Sequence, residues 1–192
     1  MNFSALADDW VYLLLGTFPE GPPGGALLTL ILSATSGIAS ALLGLVLGIA
    51  LVLSRGWASQ LLHGVLGFLR AIPVLMLIFW IYFLLPMLLG MDVPGTVSVV
   101  CVLSLIGGAY LAHGVAAGIG AIAQGQWDAG SALGMSRWQV LRWVVLPQAL
   151  SAMLPSFVNQ WVTLIKDSSL AYIVGVGELS FLSTQVNARL MV

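Results

Sequence analysis

The chain has 192 residues, of which 60% are hydrophobic and 7% charged, with a net charge of −1 and a mean hydropathy of +1.07. This composition excludes a soluble globular domain and indicates an integral membrane protein with about four to six spanning helices. The charge balance argues against a nucleic-acid partner, because surfaces that bind nucleic acid are strongly basic. Cys101 is the single cysteine, so no disulfide framework is expected.

Residues 1–25 read as a polar, turn-rich segment that ends in PEGPPGG, through which a helix cannot continue. We expect no cleavable signal peptide, because Asp8 and Asp9 stand where a signal peptide needs positive charge. No GxxxxGK[ST] loop occurs in the sequence, so the chain does not bind ATP phosphates by that device.

Four apolar segments follow, which we interpret as spans covering about residues 26–53, 60–89, 96–123 and 150–165. Small residues near one face of the first favour close helix approach, namely Gly37, Ala41, Gly44 and Gly48. The second is predicted to break at Pro73, which lacks an amide donor and disfavours helix at Ile72.

The charged residues near the span ends predict the orientation. One side carries Asp8, Asp9, Glu20 and Asp92, and the other carries Arg55, Arg70, Arg137 and Arg142. Because basic residues concentrate on the cytoplasmic side, the N-terminus is predicted outside and the stretch 126–147 inside.

That stretch is amphipathic and predicts two short helices. The first, at 126–133, ends at Gly134, and the second starts at an S-x-x-Q capping box formed by Ser136 and Gln139. Pro147 is expected to end or kink the second helix, in which Trp138, Leu141 and Val145 share a face. Physical arguments alone leave two interpretations open, a helix anchored at the lipid headgroups or a plug for a groove in a soluble partner.

The same stretch, DAGSALGMSRWQVLRWVVLPQA, resembles the Glu-Ala-Ala loop of ABC importer permeases. Asp128, Ala129 and Gly130 occupy the Glu-Ala-Ala positions, Gly134 is the spaced glycine, and 144–147 closes the motif. RAIPVLMLIFWIYFLLP and IKDSSLAYIVGVGEL resemble the second-span and post-fourth-span signatures of polar amino acid permeases. The chain thus resembles the permease subunit of polar amino acid ABC importers of the histidine, glutamine and glutamate/aspartate type.

This resemblance implies an all-α integral membrane protein with the type I ABC importer fold, showing four of five expected spans and a cytoplasmic coupling helix. Residues 1–25 would be a periplasmic segment and 26–192 the transmembrane domain, truncated before its last span. Two such permeases, identical or not, would form the pore in a bacterial inner membrane. Two ATPase subunits would bind ATP and Mg, and a periplasmic or lipid-anchored protein would deliver the amino acid. The chain itself would be no enzyme and hold no cofactor or metal.

The family's coupling contact with the ATPase, carried onto this sequence, falls on Asp128, Ala129, Gly134, Arg137, Trp138 and Pro147. The alternative for Arg137 and Arg142 is that both are ordinary positive-inside anchors.

The candidates for the substrate pathway are Arg70, Pro73, His113, Lys166, Asp167 and Ser168. Arg70 could instead be a flanking anchor, and Lys166 and Asp167 could pair within a re-entrant turn. The family often has an acid and an arginine where this chain has His113 and Ala116. Either the chain is the less substrate-engaged half of a heteromeric pore, or its substrate is not cationic; His113 could also be a hydrogen-bonded neutral residue near the interface.

Two other classes compete with this interpretation. A secondary transporter or channel without an ATPase predicts inverted repeats and midplane carboxylates, which the sequence does not show clearly. In a non-transporting scaffold the loop spacing would be coincidence. An intramembrane enzyme is disfavoured, because the two histidines are far apart in sequence and form no metal or nucleophile constellation.

Overall fold

The computed structural model describes residues 9–90 and 92–190, and this part of the chain is helical apart from turns and isolated β-bridges. The helices are α1 Trp10–Leu15, α2 Gly25–Leu53, α3 Trp57–Ala71, α4 Val74–Leu89, α5 Gly95–Gly120, α6 Gln124–Ala132, α7 Arg137–Val174 and α8 Leu179–Leu190. The predicted all-α fold is confirmed. The chain divides into two compact units, one containing the segments up to Ile38, Ile72–Ser104 and from Val162 onward, the other Ala39–Ala71 and Leu105–Trp161.

Within the described ranges, α2, α5 and α7 are long and apolar enough to cross a membrane, and α3 with α4 makes a fourth span if the bent pair counts as one. The predicted break is confirmed, since α3 ends at Ala71 and Pro73 caps the start of α4 in an extended conformation. The ring of a proline disfavours helical geometry at the preceding residue, here Ile72.

In the first unit, α1 adds a helix to the segment that the sequence predicted to be only polar and turn-rich; Asp8 lies outside the described residues. The helix ends at Gly16, and its Tyr12 hydroxyl donates to Gln185 Oε1 of α8 over 2.9 Å. The guanidinium of Arg189 lies 5.4 Å from the Tyr12 ring. Contacts with α8, remote in sequence, therefore hold a helix too short to be stable alone.

A buried carboxylate starts α8. Glu178 is 1% exposed, and its oxygens accept the backbone N–H groups of Ser180 and Phe181, each over 2.9 Å. The Thr29 hydroxyl of α2 lies 3.4 Å from Glu178 Oε2. These are the free amides at a helix N-terminus, so Glu178 both caps α8 and ties it to α2.

In the second unit, α2 lies close to α5. A Cβ on Gly48 would come 2.5 Å from Val115 Cβ, and one on Gly44 would collide with Leu111. The predicted role of the small-residue face is therefore confirmed for these two glycines, because close helix approach requires the absence of a side chain there.

Of the two outcomes expected at Pro147, an end or a kink of the helix, an end is wrong. The structure has one continuous helix, α7, where the sequence predicted a short helix and a separate span at 150–165. Just before Pro147, Leu141–Val145 widens into a π-helical turn. A proline at 147 cannot donate to the carbonyl of Trp143 and crowds it, and the wider turn relieves both defects. A second π-helical turn, Trp80–Leu84, stands in the same position relative to Pro86 of α4.

Candidate functional site

The loop between the third and fourth spans is a helix, a tight turn and a second helix, as predicted. The helix α6 ends with Gly134 at φ 77°, in the left-handed region that glycine occupies without steric cost. The amide of Gly134 donates to the Ser131 carbonyl over 3.0 Å, and the amide of Met135 to the Gly130 carbonyl over 3.2 Å. These two bonds make a complete Schellman motif, which satisfies the last carbonyls of α6.

The turn passes directly into α7 through the predicted capping box, which is confirmed. The amide of Gln139 donates to Ser136 Oγ over 3.4 Å, and the amide of Ser136 donates to Gln139 Oε1 over 2.8 Å. Because both ends of the turn have satisfied backbone groups, the loop has a fixed geometry.

Gly130 holds the two short helices together. It is buried against Val140, and a Cβ at this position would lie 2.7 Å from Val140 Cγ2. The sequence resemblance placed Gly130 only at the third position of the Glu-Ala-Ala pattern. The structure gives it a packing role that the helical spacing of α6 and α7 alone did not reveal.

The inner side of the loop belongs to a hydrophobic core in the second unit. The buried core residues are Val115, Ile119, Val140, Leu141, Val145, Ala149 and Met153. Of the predicted apolar face, Leu141 and Val145 are fully buried, while Trp138 at its beginning is 49% exposed. The core joins the loop to α2 and α5, since Ile49 of α2 packs against it and Ile119 of α5 belongs to it.

The outer side of the loop exposes apolar and acidic groups together. Leu133 at the tip is 82% exposed, and Asp128 and Ala129 are also exposed. Asp128 Oδ1 accepts the side-chain amide of Gln124 over 3.1 Å, which fixes the carboxylate on the helix surface. An open cleft of about 440 Å³ beside them is lined by Gln124, Trp127, Asp128, Ser131 and Arg137.

One of the predicted coupling residues, Arg137, contacts other parts of this chain. Arg137 Nη2 donates to the Val52 carbonyl over 3.1 Å, and its guanidinium lies 5.9 Å from the Trp127 ring. Pro147 is exposed in the continuous helix α7. The neighbouring Gln148 side chain donates to the Val144 carbonyl over 2.7 Å, within the π-helical turn.

The pathway candidates of the second unit lie along α3 and α5. The Arg70 guanidinium is 4.8 Å from the Tyr110 ring, and the rings of His63 and His113 are 5.9 Å apart, edge to face. The fold makes these two histidines neighbours although they are distant in sequence, but among the described residues no group of three or more His, Cys, Asp or Glu side chains is placed to hold a metal ion. Each Nδ1 lies within hydrogen-bond distance of its own helix, His63 at 2.8 Å from the Ser59 carbonyl and His113 at 3.2 Å from that of Ala109.

The substrate-pathway candidates of the first unit lie at the start of α4 and around the end of the α-helical part of α7. Pro73 begins α4, whose first turns contact the 3₁₀ segment Ser168–Val174. Ser168 is buried and donates to the Ile165 carbonyl over 2.8 Å. Lys166 and Asp167 lie in the last α-helical turn of α7, not in a re-entrant turn, and adjacent helical residues point in different directions. Mutual pairing of the two side chains is therefore disfavoured.

Residues 40–190 match the family described as "Binding-protein-dependent transport system inner membrane component". The chain is 39% identical over 162 residues to the glutamine transport system permease protein GlnP of Escherichia coli (strain K12), covering 81% of this chain and 72% of that protein. It is 33% identical over 158 residues to the arginine transport system permease protein ArtQ of Bacillus subtilis (strain 168), covering 79% and 71%.

A solved structure shares the fold. The crystal structure of an amino acid ABC transporter with histidines superimposes with a TM-score of 0.83 at 24% sequence identity, over 98% of this chain and 83% of that one. At this identity the likeness concerns the fold, and the predicted type I importer architecture is confirmed.

Proposed function

The chain belongs to the family of inner membrane components of binding-protein-dependent transport systems, and we propose that it is the permease subunit of an ATP-driven amino acid importer. It would form half of the translocation pore, with a second permease subunit, identical or different, as the other half. ATP and Mg would be bound and ATP hydrolysed in separate ATPase subunits, so that this chain is not itself an enzyme. A periplasmic or lipid-anchored binding protein would deliver the substrate.

The amino acid substrate class is supported by relatives whose names specify glutamine and arginine. Those two substrates differ in charge but share the α-ammonium and α-carboxylate groups. A pathway that accepts an amino acid needs polar groups of both signs near apolar walls. The candidates Arg70, Lys166 and Asp167 supply charged groups of both signs, and Pro73, His113 and Ser168 are the further candidates for the pathway.

The observation that carries the coupling function is the construction of the loop. Its turn is closed at both sides by satisfied backbone groups, its inner side is fixed in a hydrophobic core, and its outer side exposes Leu133 and Trp138. A short helix that presents apolar side chains on its outer side can pack into a hydrophobic groove of a partner. We assign Asp128, Ala129, Gly134 and Trp138 to contact with the ATPase subunit.

A loop of this kind transmits movement because it cannot deform. When the ATPase subunits close on ATP, the loop seated in their cleft would move as one body with α7 and with the core beneath it. The nucleotide needs only to bind one state of the transporter more tightly than the other, and the spans then follow that preference.

We place the loop in the cytoplasm and the N-terminal segment outside. Arg137 and Arg142 lie at the loop, and Arg55 lies at the α2–α3 connection, whereas Glu20 and Asp92 lie at the opposite ends of the helices. This distribution follows the excess of basic residues on the cytoplasmic side.

Purification of the tagged permease from its native membrane tests this function. We expect an ATP-hydrolysing subunit to co-purify, and ATP hydrolysis in proteoliposomes to rise when binding protein and amino acid are added. Replacement of Trp138 by alanine should weaken retention of the ATPase. The matched control is Trp57→Ala, which removes a tryptophan that is also exposed but lies outside the loop. Amino acid flux in the absence of any nucleotide-hydrolysing companion would overturn the proposal in favour of a secondary transporter or channel.

A further inference from the structure

The C-terminal end of α2 has three carbonyl groups with identified partners. The amide of Ser54 donates to the Ala50 carbonyl over 2.8 Å, and the Ser54 hydroxyl to the Leu51 carbonyl over 3.3 Å. The next carbonyl, Val52, accepts from Arg137 Nη2 over 3.1 Å. The last carbonyls of a helix have no partners within it, and at this end the Arg137 guanidinium satisfies one of them.

That side chain comes from the first residue of α7, which is separated from Val52 by 85 positions. A guanidinium at the C-terminus of a helix is favoured by the negative end of the helix dipole as well as by the hydrogen bond. The same guanidinium lies 5.9 Å from the Trp127 ring of α6, within the distance at which a cation interacts with an aromatic face.

Arg137 therefore joins three elements, namely α2, α6 and the start of α7. The surfaces below it are also in contact, because Val52, Leu53 and Trp127 pack against the core that contains Val140 and Leu141. The Arg137 side chain thus adds polar contacts at the edge of the α2, α6 and α7 junction, whose apolar residues are already packed together.

We propose that Arg137 is a positioning residue that fixes the coupling loop, formed by α6, the turn at Gly134 and the start of α7, to the end of α2. Displacement of this loop then moves the span α2. The proposal rests on the proposed function and changes the role of one residue within it. The Arg137 guanidinium, which the family resemblance assigned to contact with the ATPase, instead donates a hydrogen bond to the backbone of the permease itself.

Lysine would not replace arginine here. The planar guanidinium can present one edge to a carbonyl while its face lies against an indole, whereas an ammonium group is a compact, strongly hydrated charge. Arg142 provides a matched control, since it is exposed, belongs to the same helix and lies 5.2 Å from the ring of its neighbour Trp143.

The structural part of the proposal can be measured on the purified permease without any partner. In a Cys101→Ala background, spin labels are placed at Arg55, next to the end of α2, and at the exposed Leu133 on the loop tip. We expect a narrow distance distribution in the parent and in Arg142→Ala, a broad one in Arg137→Ala, and little recovery in Arg137→Lys. An unchanged distribution in Arg137→Ala would overturn the proposal.

The functional part uses the complete transporter. We expect Arg137→Ala to lower the stimulation of ATP hydrolysis by binding protein and substrate by about threefold to tenfold, while the amount of co-purified ATPase stays at the parent level. In Arg142→Ala, both the stimulation and the amount of co-purified ATPase should equal those of the parent. Loss of the ATPase from Arg137→Ala would identify the residue as a direct contact and overturn the proposal. If the parent itself recruits no ATPase, the proposed function fails, and the spin-label distances still decide whether Arg137 fixes the loop.

Discussion

Gly130 of α6 and Val140 of α7 are in direct contact, and the place where Gly130 would carry a Cβ is filled by the two methyl groups of Val140. The distances from that Cβ to the methyl carbons would be 2.7 and 2.9 Å. Valine is branched at Cβ and has little rotamer freedom in a helix, so its methyl groups cannot move aside. The two helices of the coupling loop can approach this closely only with glycine at 130.

Gly130→Ala should therefore destabilise the permease by about 1–3 kcal/mol, the usual cost of overpacking. The measurement is thermal or denaturant unfolding in detergent micelles. Gly125→Ala is the control, because that glycine is in the same helix with open space around it and alanine there gains about 0.5–1 kcal/mol of helix propensity. Equal stability of the two variants would contradict the contact.

Gly134 has a different requirement, a left-handed backbone at φ 77° with open space around it. Gly134→Leu should destabilise the turn by about 1–2 kcal/mol, since a Cβ collides with the backbone in this conformation. It should also lower the stimulation of ATP hydrolysis by binding protein. Gly134→Asn should retain most of both properties, because asparagine tolerates the left-handed region. Parent-level stimulation in the leucine variant would show that the shape of the turn does not matter for coupling.

Glu178 has a structural role that the charge of the chain did not reveal. Glu178→Ala should destabilise the protein by about 1–3 kcal/mol, because two partly buried amides and the Thr29 hydroxyl lose an acceptor. Glu178→Gln keeps one acceptor oxygen and should lose less. The unfolding transition is compared with that of Glu20→Ala, in which an exposed carboxylate is removed. A loss in Glu178→Ala no larger than in that control would rule out the cap.

Lys166 and Asp167 are expected to act on transport and not on assembly. Replacing either by alanine should lower amino acid uptake by about tenfold, the effect of losing roughly 1.4 kcal/mol of interaction with a charged substrate group. Uptake is measured in proteoliposomes, with the amount of assembled complex determined in parallel. Asp92→Ala is the control for removal of an exposed charge outside this helix turn. Uptake unchanged in both variants would remove the two residues from the pathway.

Several contacts could be identified only from the folded structure, because each joins residues that are far apart in the sequence. Arg137 meets Val52 across 85 positions, and Glu178 meets Thr29 across 149. His63 and His113 lie on different helices and become neighbours only when α3 and α5 pack. Periodicity describes which face of a helix is apolar, but it does not specify which helix covers that face.

The sequence alone determined the class of protein, the apolar segments, the break at Pro73 and the ends of the helices in the coupling loop. These follow from composition and from interactions between residues a few positions apart, such as the capping box of Ser136 and Gln139. The tertiary structure decided the course of the chain through Pro147, the contact at Gly130 and the partner of Arg137. In each case the outcome depends on packing against residues distant in the chain, as where burial of Leu141 and Val145 favours a continuous helix with a π-helical turn over an end at the proline.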